Sequence, residues 1–348
     1  MDLQQIADEV FKATNIDVSK SDLERLVSIL RKKTNPWEII DYSDFPIPAV
    51  FESISNLAKK DIVQISEKGI DLTSKGREAA SVMHPVEDLS CKNCEGRGVD
   101  LKKFAPIREK FIKIQRKRPK PSHDFDQGYV TPHSTFSRFL IGYERGDIYG
   151  KDILVIGDDD LLSIVLGLSG MPASVTVLEI DGRINRFIKD IGQQEKFEVN
   201  IEALDLRKPL PRKYLKSYDT FFTDPPETLK AADAFIGRGI GALRSAGSAG
   251  YFGFTRREAS LNKWYDLQKM LTGYKVVVTD IIHNFNEYIN WGYEKDTRAW
   301  ELSPVKVKPR KNWYRSALYR VAALKGYKGS SKNYGSQNIY EDIESSTT

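Results

Sequence analysis

Cysteine is almost absent. Cys91 and Cys94 are the two in 348 residues, so no disulfide framework can carry the fold and a buried core must. They form a single CxxC in SCKNCEGRG, two ligands short of a structural zinc site. His84 and His123, or a second chain, would have to complete a metal site there. No apolar run approaches the roughly 20 residues that cross a bilayer. The start, MDLQQIADEV, has neither the basic nor the apolar region of a secretory signal. The expectation is a cytoplasmic protein without membrane association. Net charge is only +5, too little to name a polyanionic partner, and scarce Cys and Met beside 29% charged residues suit a thermophile.

Glycine is missing where a nucleotide-binding sheet usually needs it most. DILVIGDDD at 152–160 begins as a buried strand, and LLSIVLGL after it has helical spacing. Turns of this kind are ordinarily glycine-rich, so that backbone N–H groups can approach an anion. Here Asp158, Asp159 and Asp160 follow Gly157, and such a turn repels phosphate or carboxylate and attracts a cation.

Along the chain, residues 1–81 predict three amphipathic helices and a β-hairpin, IVQISEKGIDLT, the order of a winged-helix-like domain. Residues 1–101 carry more acids than bases, so dimerisation or substrate covering is favoured over DNA binding. Residues 82–150 read as a linker with the CxxC, a basic helix and a substrate-lining loop. Nine Lys/Arg stand against one Glu in 101–120, read as a solvated helix packed by Ile107, Phe111 and Ile114 rather than as a nucleic-acid surface. Asp124, Asp126 and Gln127 are candidates for the loop's wall. From 151 to 325, strands alternate with helices, predicting a seven-stranded Rossmann-like sheet of the class I methyltransferase type, with an antiparallel strand at its edge. The tail 326–348, poor in aliphatics, is expected to be flexible.

Acids recur where these strands end. Glu179, with Asp181 behind it, suits a ribose diol, because a carboxylate accepts two hydroxyl hydrogens; Asp205, beside Leu206, suits an adenine amino group. Asp224-Pro225-Pro226-Glu227 resembles the D-P-P-aromatic motif of enzymes that methylate exocyclic amines, with Glu227 in the aromatic's place. A glutamate holds a cation instead of stacking on a base. The donor-side set is thus Gly157, Asp158, Glu179, Asp181, Asp205, Leu206 and Asp224. On the acceptor side stand Asp126, Asp159, Asp160, Asp224, Pro225, Pro226 and Glu227, with Phe285, Tyr288 and Trp291 walling an alkyl chain. Decarboxylated S-adenosylmethionine, which brings an ammonium and no carboxylate, fits this pocket better than S-adenosylmethionine. The two readings kept beside it are a nucleic-acid amine methyltransferase and a winged-helix DNA-binding metabolite sensor.

GDDD at 157–160, DPPETLKAADAFIGRGI at 224–240, GYFGFTRREASLNKW at 250–264 and DIIHNFNEYINWGY at 280–293 resemble the branched-chain polyamine synthases, the N4-bis(aminopropyl)spermidine synthases. The glycine-rich GGGDG pattern of linear spermidine synthases is not present. The resemblance implies two successive aminopropyl transfers from decarboxylated S-adenosylmethionine, a co-substrate, to the central nitrogen of spermidine, with no required cofactor. It also implies a homodimer, a mobile carboxyl-terminal tail, and a catalytic carboxylate at Asp159.

Overall fold

The structure, a computed structural model, describes residues 2–86, 90–290 and 292–347. At the amino end, α1 (Leu3–Thr14) buries Leu3, Ile6, Ala7 and Val10 on one face and is capped by Asp2. A reciprocal capping box of Ser19 and Asp22 opens α2 (Lys20–Ile29). Then come α3 (Pro36–Ser43) and α4 (Ile47–Lys59), the antiparallel hairpin of β1 (Val63–Ser66) and β2 (Gly69–Leu72), and α5 (Ser74–Ser81). Four helices therefore precede the hairpin, where the spacing predicts three. The extra one, α3, is eight residues long, started by the Asn35 side chain and Pro36, and buried on most sides, so it has no amphipathic period to read.

The apolar side of these helices shares one core with Val130, Tyr288, Ala299, Val305, Trp313 and Tyr314 from the carboxyl-terminal half. The Trp37 ring lies 4.8 Å from that of Trp313, and Arg257 pairs with Asp41 at 3.1 Å. Residue 81 is thus no break in the packing.

Next come α6 (Ala105–Gln115), buried by Phe111 and Ile114 with its lysines outward, and α7 (Pro132–Glu144), whose N-cap is Thr131. The sheet follows: β3 (Asp152–Ile156), β4 (Ser174–Leu178), β5 (Asn200–Glu202), β6 (Thr220–Thr223), β7 (Ala249–Phe254), β8 (Val276–Glu287) and β9 (Arg315–Ala323). Helices α8 (Leu162–Ser169), α9 (Gly182–Glu195), α10 (Leu229–Ala242) and α11 (Leu261–Gly273) connect its strands, and α12 (Arg298–Leu302) lies in the β8–β9 loop. The order is β5-β4-β3-β6-β7-β9-β8, with β9 antiparallel to both neighbours. The antiparallel strand expected at the edge is therefore internal: the β8–β9 loop is long enough to return the chain between β7 and β8, and β8 takes the edge.

Strand order reverses at β3, which pairs with β4 on one side and β6 on the other. In an open α/β sheet the crevice at such a reversal, outside the carboxyl ends of the strands, is where ligands bind. The turns after β3 and β6 carry the two acidic motifs.

Part of the tail packs against the body of the protein. Of its large apolar residues Tyr327, Tyr334 and Ile339 are buried, whereas Ile343 is exposed. The hydroxyls of Tyr334 and Ser330 both donate to Asp233 of α10, each at 2.7 Å. Among the described residues no helix is long and apolar enough to cross a membrane.

Candidate active site

Gly157 ends β3 with φ +67°, a left-handed turn that glycine takes without strain. The three aspartates after it part company. Asp158 turns inward and is fully buried, its carboxylate 3.3 and 3.4 Å from the Ser163 N–H, where it caps α8 in place of Leu161. Asp160 turns the other way, accepting from the Val130 N–H at 2.8 Å and from Arg138 at 2.6 Å. Only Asp159 reaches the cavity.

That cavity lies across the carboxyl ends of β3, β4 and β6. On one side it is lined by Gly157, Leu178, Glu179, Asp205 and Leu206; on the other by Asp126, Asp159, Asp224, Pro225, Pro226 and Glu227. Tyr288, Tyr293 and Tyr314 wall it, and Ile339, Tyr340 and Thr347 of the tail complete it. Glu179 accepts the N–H of Asp158 at 2.9 Å on one oxygen and that of Asp181 at 2.7 Å on the other. Each oxygen keeps a lone pair, and the orientation is fixed, as a diol acceptor needs. Asp205 is gripped by its neighbour Arg207, at 3.0 to 3.1 Å from Nε and 2.9 Å from Nη2, which holds its pKa down. The Asp224 carboxylate accepts from Arg138 at 2.6 Å and from the Tyr288 hydroxyl at 2.7 Å. Gly253 faces it on β7, where any Cβ would collide with that carboxylate.

Among the described residues Asp126, Asp159 and Glu227 have no salt-bridge partner, whereas Asp160, Asp205 and Asp224 do. Burial, together with Asp160, Glu179 and Asp224, pushes the Asp159 pKa well above the carboxylate range; Arg118 opposes this without a direct ion pair. Glu227 is raised by burial and by Glu258, Asp224 and Asp126, and Asp126 by burial and by Glu258 and Glu341. Carboxylates crowded this way, without cations of their own, are suited to bind a polycation, which lowers the repulsion on entering. A carboxylate with a raised pKa is also suited to accept a proton near neutral pH.

Several expected residues lie elsewhere. Asp158 and Asp160 face away from the cavity because the turn needs one to cap α8 and the other to hold α7. Asp181 is the N-cap of α9, bonded to Arg183 and Gln127. Phe285 is fully buried in the core with Phe136 and Leu318. Trp291 lies outside the described residues, as does the side chain of Asp124. Cys91 is exposed, Cys94 is half-buried, and both thiols are free. Among the described residues no three His, Cys, Asp or Glu gather to hold a metal.

Sequence reasoning missed Arg138, Tyr293, Tyr314, Glu258 and the tail residues. They stand in neither acidic motif, and the fold alone brings them in; Tyr314 directly precedes β9. Tyr293 donates to the Gln127 carbonyl at 2.7 Å, and Tyr314 to Glu258 at 2.8 Å.

Comparison with known proteins matches residues 106–347 to the model of the branched-chain polyamine synthase A C-terminal domain. The N(4)-bis(aminopropyl)spermidine synthase of Methanocaldococcus jannaschii is 45% identical, over 99% of this chain and 100% of its own. That of Thermococcus kodakarensis is 44% identical over the same shares. Among solved structures, the Thermus thermophilus branched-chain polyamine synthase, in complex with N4-aminopropylspermidine and 5′-methylthioadenosine, superposes with a TM-score of 0.93. It shares 37% identity and is covered over 98% of its chain by 99% of this one.

Proposed function

The chain belongs to the branched-chain polyamine synthase family, and from that premise we propose that it transfers aminopropyl groups to the central nitrogen of spermidine. The donor is decarboxylated S-adenosylmethionine, a co-substrate, and the products are N4-aminopropylspermidine and then N4-bis(aminopropyl)spermidine. One observation carries this reading: both acidic motifs open into a single cavity in which Asp126, Asp159 and Glu227 lack salt-bridge partners among the described residues. A nucleic-acid methyltransferase would have to bring a polyanion to the same carboxylates.

In this reading Glu179 takes the donor's ribose diol, and Asp205 and Leu206 its adenine. Glu227 and Asp126 hold the acceptor's ammonium groups, while Tyr288, Tyr293 and Tyr314 offer ring faces to its methylenes and charges. The neutral secondary amine attacks the carbon bound to sulfur. The new C–N bond forms as the C–S bond breaks, and sulfur keeps the electron pair in 5′-methylthioadenosine. The amine's proton passes to Asp159. A second donor repeats the displacement on the tertiary amine already formed, which leaves as a quaternary ammonium and releases no proton.

The proposal includes a homodimer, a cytoplasmic location, and a winged-helix-like role for α1–α5 in supporting the acceptor side of the cavity. The test is to incubate the protein with spermidine and either sulfonium donor and to read the mass of the amine. Aminopropylated spermidine from the decarboxylated donor is expected; methylation, or an unchanged amine, overturns the reading. Light scattering reads the dimer.

A further inference from the structure

Arg138 lies on α7, outside every motif that marks the site, and its side chain is only 6% exposed. Its Nη1 is 2.6 Å from Asp160, its Nη2 2.6 Å from Asp224, and its Nε 2.8 Å from Asn286. One guanidinium therefore joins the turn after β3, the turn after β6, and β8. Burial works against its charge, but Asp224 and Asp160 outweigh that and hold it protonated. Without a cation between them, two buried carboxylates on adjacent turns would move apart or share a proton. A lysine can supply the charge, but not the planar fork that meets three acceptors at once. Asp224 has a second fixed bond, from Tyr288, so its carboxylate is held from two directions.

We propose that Arg138 is a positioning residue for the transfer: it fixes the carboxylates of Asp160 and Asp224 in place, sets the spacing of the two acidic turns, and leaves Asp159 as the carboxylate free to take the proton. This rests on the aminopropyl-transfer reading above. Arg138 reaches the reaction through Asp224 and the placement of Asp159.

The test uses full-length Arg138→Lys, Arg138→Met and Asn286→Ala. The last keeps the charge and loosens Nε, and it also removes the bond from Asn286 to the Ser316 hydroxyl. For Arg138→Lys, 5′-methylthioadenosine binding by calorimetry should stay within about threefold, because Glu179 and Asp205 are untouched. Its kcat should fall by about 100-fold, the size of loss that an ångström of misplacement can cause. Asn286→Ala should lose about tenfold in kcat by the same cause. In Arg138→Met, millimolar guanidinium chloride should restore part of kcat where sodium chloride does not. Normal kcat in Arg138→Lys and Asn286→Ala overturns the proposal. So does a loss in which product binding falls in step with kcat and guanidinium restores nothing, since that is a structural role alone. Wild-type protein that leaves spermidine unchanged overturns the reaction reading itself. That result is seen before any variant is compared, and it takes this proposal with it.

Discussion

Glu258 accepts hydrogen bonds from both the backbone N–H of Thr347, at 2.7 Å, and its hydroxyl, at 2.9 Å. The same carboxylate takes the Tyr314 hydroxyl at 2.8 Å and the Ser346 N–H. A wall residue of the cavity and the end of the tail are thus tied through one buried acid. Glu344 adds a second tie, 2.8 Å from the Ser260 hydroxyl, and Asp342 a third, 2.8 Å from Lys263.

Deleting residues 341–348 cuts all three ties and, among the described residues, removes no helix or strand. It spares Tyr327, Tyr334 and Ile339, whose burial would make a longer deletion harder to interpret. Circular dichroism should be unchanged, and kcat should fall at least about tenfold as the cavity opens to water. Full activity in the truncated protein rejects a covering role for the tail.

Glu179 should control the donor alone. In Glu179→Ala two charge-assisted hydrogen bonds to the diol are lost, at roughly 1.5–3 kcal/mol each. Binding of 5′-methylthioadenosine should weaken by at least about 100-fold. Glu179→Gln keeps the size and one acceptor and should fall between. The KM for spermidine should hardly move in either variant. If it rises while product affinity holds, the two sides of the cavity have been assigned backwards.

The legible part of this protein is the part with a period. The strands β3, β4 and β6 show as apolar runs and the acids at their ends as punctuation, so Glu179 and Asp224 stand out from spacing alone. Three consecutive aspartates at 158–160 could not be told apart, because a turn sends neighbouring side chains in different directions and only packing decides which way. Phe285 and Tyr288 illustrate the same limit: one is core and the other cavity wall, and the register shift between Ile282 and Asn286 in β8 contains the first and precedes the second. Arg138 left no trace, since its partners are 22, 86 and 148 residues away.

Asp158 should make stability depend on pH. Burial, aided by Glu179 and Asp160 and opposed by the Ser163 bonds, pushes its pKa up to about 8. The folded protein then binds this proton more tightly than the unfolded chain, whose aspartate titrates near 4. Its contribution is complete below about pH 4 and is lost as pH rises to about 8. Asp158→Asn removes the titration and keeps an acceptor for Ser163. Between pH 6 and 9 the Tm of the wild type should therefore fall relative to the variant. Parallel melting curves across that range would falsify the assignment.

Of the aspartates 158–160 it is Asp159 that lines the cavity, and among the described residues it has no salt-bridge partner. Burial raises its pKa most, Asp160, Glu179 and Asp224 add to this, and Arg118 pulls the other way; Arg138 is paired with both Asp160 and Asp224. Because its pKa is raised, the first transfer should speed up as pH rises through its titration. Asp159→Asn keeps the shape and one acceptor but removes most of the basicity. Its kcat for the first transfer should fall by about two to four orders of magnitude, with 5′-methylthioadenosine binding nearly unchanged. The second transfer, which attacks from a tertiary amine and releases no proton, should suffer less. Rates measured separately with spermidine and with N4-aminopropylspermidine therefore distinguish a base from a holder of charge. Equal losses on both substrates, or a normal kcat with a raised KM, would mean that Asp159 only binds the cation.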